Sequence, residues 1–101
     1  MPFVIQQNTN GNWPSDPSIN IKLYDQVQWV PNGNKAPQVG NFSPSNVLGP
    51  PATRGATVTA DILTQTVTTN TKVTYTLGGG DGDGDTPAQL ELDTGDYKPG
   101  G

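Results

Sequence analysis

Apolar and polar residues alternate most clearly in residues 19–30, and this alternation predicts a β-strand. The apolar side chains occupy odd positions: Ile19, Ile21, Leu23, Val27 and Trp29. Because successive side chains of a strand point to opposite faces, one face of this segment meets a core and the other meets water. Asp25 falls on the apolar face, where a lone carboxylate is costly. We therefore expect the strand to kink or break at residues 25–26 and to resume at Val27.

The same pattern predicts shorter strands elsewhere in the chain. Residues 3–7 and 88–92 alternate in the same way. Residues 56–77 are rich in threonine, and their apolar phase changes between Val58 and Val73, so at least one reversal separates two strands there. Residues rich in Asn, Asp, Gly and Pro predict turns or irregular segments. These segments are 8–18, 31–34, 41–55 and 78–87.

These segments together predict an all-β domain. About seven short strands are separated by turn signals, and no stretch has a helical period. Two sheets packed face to face cover both apolar faces most economically, so we expect a small antiparallel two-sheet β-sandwich with Greek-key connections. The domain is predicted to span residues 1–93, and residues 94–101 are predicted to form a flexible C-terminal tail.

The composition predicts a thin core. The chain has 101 residues, of which 31% are hydrophobic, and a formal net charge of −4. This net charge is small and the apolar residues are periodic, which favours a folded chain over a disordered one. A core of this size is marginal for a lone domain, so we expect the protein to gain stability by self-association.

The absence of two residue types excludes several kinds of chemistry. The chain contains no Cys and no His, so it has no disulfide, no thiol nucleophile, no imidazole base and no Cys or His metal ligand. Its five basic residues are scattered, which predicts neither a nucleic acid nor a membrane as partner. No signal peptide and no apolar run of membrane-spanning length is evident, which makes the cytoplasm the default location.

Two segments carry a resemblance to a known family. Residues 25–30, Asp-Gln-Val-Gln-Trp-Val, are followed by Asn32 and by Pro-Gln-Val at 37–39, and residues 73–77 read Val-Thr-Tyr-Thr-Leu. The first segment resembles the third-strand region of cupredoxin-type sandwiches, and the second resembles the strand of that family with a Tyr-x-Cys pattern. The resemblance implies an immunoglobulin- or cupredoxin-like sandwich.

The residues that would bind copper in that family are missing here. Pro37 stands near the expected first histidine, and Leu77 stands where the cysteine would be. The following loop, up to Ala88, contains neither His nor Met. A blue-copper site requires these ligands, so the resemblance bears on fold and not on function.

The most specific candidate site is an acidic glycine-rich loop at residues 78–87. Asp81, Asp83 and Asp85 alternate with glycines, and glycine allows a backbone to fold around an ion. Calcium requires six to eight oxygen ligands, and Glu91 is a further candidate. The loop therefore suggests a calcium site, which would support a calcium-dependent carbohydrate-binding module.

The register of this loop differs from that of an EF-hand. Thr86 takes the place of the central glycine, and Leu92 takes the place of the bidentate glutamate. The simpler interpretation is a solvated hairpin loop whose charge maintains solubility. A carboxylate-dependent hydrolase that uses the same acidic residues is a further alternative, but a glycine-rich loop does not hold two carboxylates at a fixed separation.

Trp13 is the candidate ligand platform, because it lies in a loop and an indole stacks on the apolar face of a sugar ring. The alternative is that Trp13 packs against the end of the sandwich.

The prediction that follows is a non-enzymatic β-sandwich binding module. We expect it to self-associate or to bind another protein, and to require no cofactor.

Overall fold

The computed structural model describes residues 2–14, 16–63, 66–67, 70–79 and 85–93. These residues form two four-stranded sheets whose inner faces share one hydrophobic core. The strands are β1 (Pro2–Gln6), β2 (Ser18–Asn20), β3 (Gln26–Val30), β4 (Pro37–Ser43), β5 (Ala52–Arg54), β6 (Thr57–Asp61), β7 (Thr71–Gly79) and β8 (Asp85–Asp93). The first sheet has the order β1-β3-β6-β5, and the second has the order β2-β8-β7-β4. No helix of the described ranges is long and apolar enough to cross a membrane.

The sheets are mixed, which corrects the prediction of a purely antiparallel sandwich of about seven strands. β1 pairs with β3 in parallel, and β2 pairs with β8 in parallel. The chain leaves the first sheet after β1, contributes β2 to the second sheet and then returns as β3. A parallel pair requires such a crossover, since a tight turn joins only antiparallel strands. One strand that was not predicted, β5, lies in the segment 41–55, which was predicted to be irregular.

The stretch at residues 19–30 is two strands and not one bent strand. Its first part, β2, belongs to the second sheet, and its last part, β3, belongs to the first sheet. The predicted break is confirmed, although it starts earlier, because residues 21–23 form a turn. Leu23 lies in this turn and is 57% exposed, so its assignment to the apolar face was wrong. Asp25 is exposed, and its carbonyl oxygen accepts a hydrogen bond from the backbone N–H of Ile62 (3.0 Å).

Three aromatic rings occupy the middle of the core. Trp29 is fully buried and stacks on Phe42, with ring centroids 6.2 Å apart. The rings of Trp29 and Tyr75 pack edge to face with centroids 5.6 Å apart, and Trp29 Nε1 donates a hydrogen bond to the Tyr75 hydroxyl (3.3 Å). One ring comes from the first sheet and two come from the second, so this cluster joins the two layers.

The hairpin that joins β7 and β8 has longer strands than the sequence predicts. Residues 78–79 continue β7, and residues 85–87 already belong to β8. Pro87 is tolerated within β8 because β2 pairs only with Glu91, Leu92 and Asp93. Pro87 therefore has a strand neighbour on one side only, which is where proline occurs in sheets.

The buried hydroxyl of Tyr75 predicts a loss of stability at alkaline pH. Burial raises the pKa of Tyr75 above its ordinary value of 10.0, and the hydrogen bond from Trp29 offsets part of that rise. Above pH 10 the unfolded chain therefore loses this proton before the folded chain does, so the free energy of unfolding falls as the pH rises. The slope is at most about 1.4 kcal/mol per pH unit for one proton.

Urea denaturation between pH 8 and pH 12 measures this slope. Tyr75→Phe should lack the part of the slope that Tyr75 causes. Tyr24→Phe removes a half-buried hydroxyl elsewhere and leaves Tyr75 in place, so it should keep the slope of the parent. An unchanged slope in Tyr75→Phe would show that Tyr75 does not cause the alkaline loss.

Candidate functional site

The acidic loop lies largely outside the described residues. Asp81 and Asp83 are among the residues that the structure does not describe, whereas Asp85 begins β8. Glu91 is half-buried in the same strand, six positions further on and opposite Lys72 of β7. Within the described ranges, no group of three acidic residues is placed to hold a metal ion. The calcium site remains a prediction from the sequence.

Trp13 is half-buried against the hydrophobic core. Its Nε1 is buried, and it has no hydrogen-bond partner among the described residues. The packing agrees with the alternative of an indole at the edge of the core. A ring held in this way offers only part of its surface to a ligand.

The two positions that the family resemblance equates with copper ligands lie close together. Pro37 of β4 and Leu77 of β7 are both buried, and the two strands are neighbours in the second sheet. Val39, two residues after Pro37, pairs with Leu77. Neither Pro37 nor Leu77 has a side-chain atom that binds a metal, so this part of the sheet is apolar core.

A polar groove lies on the outer face of the second sheet, and we call it the Asn41 groove. It has a volume of about 600 Å³. Its polar lining consists of the side chains of Asp16, Asn41, Thr74, Thr76 and Gln89. The floor is formed by β7 and β8, where Thr74 pairs with Gln89 and Thr76 pairs with Pro87. On this face every second residue of each strand points outward, while Val73, Tyr75 and Leu90 point into the core.

A bulge in β4 places Asn41 over this groove. The register between β4 and β7 shifts between Gly40 and Ser43, and Asn41 has a φ of 57°. This irregularity sends Phe42 into the core against Trp29 while Asn41 lies on the groove side. Non-glycine residues with positive φ and bulges next to binding sites are features that the surrounding structure must stabilise.

Hydrogen bonds fix the orientation of the groove's threonine and asparagine side chains. Asn41 Nδ2 donates to Thr76 Oγ1 (3.1 Å), and Thr76 Oγ1 donates to the carbonyl of Gly40 (3.3 Å). By contrast, the half-buried amide of Gln89 and the exposed carboxylate of Asp16 make no side-chain hydrogen bond to any described residue. The groove therefore combines oriented hydroxyl and amide groups with polar groups that are available to a ligand.

A second groove lies on the outer face of the first sheet and has a volume of about 500 Å³. It is lined by Gln26, Gln28, Ala52, Arg54, Thr57 and Thr59. Gln26 Nε2 donates to the carboxylate of Asp61 (2.9 Å), so this amide is occupied by a neighbour. Arg54 is exposed at the end of β5 and gives this groove a positive charge.

A third surface feature is the edge of β1 that no other described strand covers, which we call the free edge of β1. The backbone N–H of Gln7, directly after β1, donates to the carbonyl of Val30 in β3 (2.9 Å). Because the backbone groups of successive strand residues point to opposite sides, those of Phe3 and Ile5 also face β3. The backbone groups of Val4 and Gln6 consequently point away from the sheet. Val4 is 48% exposed on the outer face.

No protein-family model matches the chain, and no curated protein matches its sequence.

The sequence predictions did not include the residues of the Asn41 groove. The phase of β7 was a usable signal, because Val73, Tyr75 and Leu77 point inward and Thr74 and Thr76 must then point outward. The contribution of Asn41 had no such signal. It depends on a bulge and a positive φ in β4, and residues 41–43 of that strand lay in a segment that was predicted to be irregular.

Proposed function

We propose that this protein is a non-enzymatic binding module that self-associates through the free edge of β1. The observation that supports this proposal is a comparison of the four strands that lie at sheet edges. An exposed edge is a template for pairing with another chain, and proteins protect such edges by making them short, charged or bulged. β2 and β5 have three residues each, and β5 carries Arg54. β4 is interrupted by its bulge at Asn41.

β1 has fewer of these protections. It has five residues, none of them charged, and its pairing with β3 has a continuous register. Pro2 at its start is the one residue that is unfavourable for pairing. The exposed side chain of Val4 adds an apolar contact beside the free backbone groups.

The occupant that fits this edge is β1 of a second copy. Antiparallel pairing about a two-fold axis places Val4 of one copy opposite Gln6 of the other, and both residues have outward-facing N–H and C=O groups. A single pair of edge strands buries little area, so we expect a weak dimer with a dissociation constant on the order of micromolar or higher.

Sedimentation velocity over a wide concentration range tests this proposal. The parent protein should form a dimer as its concentration rises. Val4→Lys places two like charges beside the pairing strands and should raise the dissociation constant by about tenfold or more. The matched control is Ala52→Lys, because Ala52 lies in the same row of the first sheet as Val4 but at the opposite edge. This control should dimerise as the parent does.

Two results would contradict the proposal. One is a parent protein that stays monomeric up to millimolar concentration. The other is an equal loss of association in both lysine variants, which would assign the effect to net charge and not to β1.

A further inference from the structure

We infer that the Asn41 groove is a binding site for a neutral saccharide, and that it acts without calcium. The site is independent of self-association, because it lies on the second sheet and the proposed dimer edge belongs to the first sheet. It also differs from Trp13, which is not among the described residues that line it.

The chemical groups in the groove favour a ligand with many hydroxyls. The amides of Asn41 and Gln89 each offer donors and an acceptor, and the Thr74 and Thr76 hydroxyls can do both. The carboxylate of Asp16 only accepts. A sugar ring presents hydroxyl groups that donate and accept from neighbouring carbon atoms, so it can satisfy such a mixed set.

Some of the polar side chains in the Asn41 groove make no hydrogen bond to the described residues. Gln89 is half-buried and makes no side-chain hydrogen bond there, and its amide atoms still reach solvent, so the amide is available to a ligand. Asn41 and Thr76 are already held by each other, so their remaining lone pairs and N–H groups are oriented before a ligand arrives.

The groove is less suited to an extended peptide. A peptide that binds to a sheet usually adds as a strand and bonds to free backbone groups. Alternate residues of the floor strands β7 and β8 direct their backbone groups at one another, while Pro87 and Gln89 direct theirs toward the other edge of β8. All of these groups lie in the plane of the sheet and not on the face that forms the floor. A ligand on this floor must bond to side chains, which a polyhydroxylated molecule does and a peptide backbone does poorly.

The charge and the volume of the Asn41 groove limit the class of ligand further. Asp16 in the lining and Glu91 further along β8 disfavour an anionic sugar, although Lys72 lies opposite Glu91. The volume of about 600 Å³ lies within the range of small-ligand sites. We therefore infer a neutral sugar unit or a short stretch of a neutral polysaccharide.

The test uses the full chain, labelled with ¹⁵N, and soluble oligosaccharide probes at millimolar concentration in the presence of a calcium chelator. The probes are cellohexaose, xylohexaose, mannohexaose and maltohexaose. We expect at least one of them to shift the amide signals of Thr74, Thr76 and Gln89 in a saturable manner. Oligogalacturonate, which is anionic, should not shift them.

Two variants and a control locate the binding. Gln89→Ala removes the available amide, and Asn41→Gly removes the other amide at a position where φ of 57° suits glycine, so neither should unfold the protein. Each should weaken binding by about tenfold. Gln28→Ala removes a comparable half-buried amide from the outer face of the first sheet and should leave the affinity unchanged.

Several results would overturn the inference. They are no saturable shift with any neutral probe, shifts that map away from the groove, equal binding by the parent and both groove variants, or binding that requires calcium. A Gly-Ser-Thr-Gln repeat peptide that shifts the same signals while the sugars do not would assign the groove to peptides instead. None of these results changes the expected sedimentation behaviour. The proposal of a saccharide site and the proposal of a dimer through β1 are therefore tested independently of each other.

Discussion

Trp29→Ala is expected to lower the free energy of unfolding by about 3–5 kcal/mol, which is the usual cost of replacing a buried tryptophan by alanine. The side chain is fully buried between the two sheets. Its removal takes away the stacking contact with Phe42 and the edge contact with Tyr75. It also leaves the buried Tyr75 hydroxyl without its donor. A domain of this length has a total stability of about 5–15 kcal/mol, so this loss brings the chain close to unfolding.

Urea denaturation followed by circular dichroism measures the effect of Trp29→Ala. Trp13→Ala is the matched control, because it removes the same side chain from a half-buried position and should cost clearly less. Trp29→Phe separates the two contributions, since it keeps an aromatic ring in the cluster and loses the hydrogen bond. Equal losses for Trp29→Ala and Trp13→Ala would show that the aromatic cluster is not the centre of the core.

Gln7→Met is expected to cost about 2–3 kcal/mol, because two hydrogen bonds disappear and their partners lose a satisfied bond. Gln7 is 2% exposed although its side chain is polar. Its Nε2 donates to the carbonyl of Gly11 (2.9 Å), and its Oε1 accepts from the backbone N–H of Asn32 (2.8 Å). The side chain thus joins the loop after β1 to the turn after β3. Methionine has a similar shape and makes neither bond.

Chemical denaturation and amide hydrogen exchange together test the role of Gln7. In Gln7→Met, the amide of Asn32 should exchange much faster than in the parent. Gln6→Met changes the exposed neighbour and should alter the stability by no more than about 0.5 kcal/mol. Unaltered protection of Asn32 would mean that Gln7 does not hold the two segments together.

The burial pattern of the strands was predictable from the sequence, because alternation is a local property. Val27 and Trp29 lie on the inner face as predicted, and so do Ala88, Leu90 and Leu92. Which sheet a strand joins is not local. Ile19 and Trp29 share one phase in the sequence but lie in different sheets, since the turn at residues 21–23 carries the chain across the sandwich.

The candidate site was less predictable for a related reason. The outward direction of Thr74 and Thr76 follows from the phase of β7. The position of Asn41 follows from a bulge, whose location depends on how β4 pairs with a strand more than thirty residues away. The alternation of residues 3–7 predicts a strand, but its place at the edge of the first sheet follows only from how the strands pair.

The parallel pairing of β2 with β8 has a consequence for the order of folding during synthesis. Two hairpins, β5–β6 and β7–β8, are formed by strands adjacent in the sequence, and the other pairings of the described strands join distant segments. β2 leaves the ribosome early, but its partner residues, Glu91, Leu92 and Asp93, are among the last of the described residues to emerge. Ile19 therefore lacks its partner strand until residues 91–93 have left the ribosome. Because distant contacts are slow to form, we expect the two sheets to complete their packing only after residue 93 has emerged.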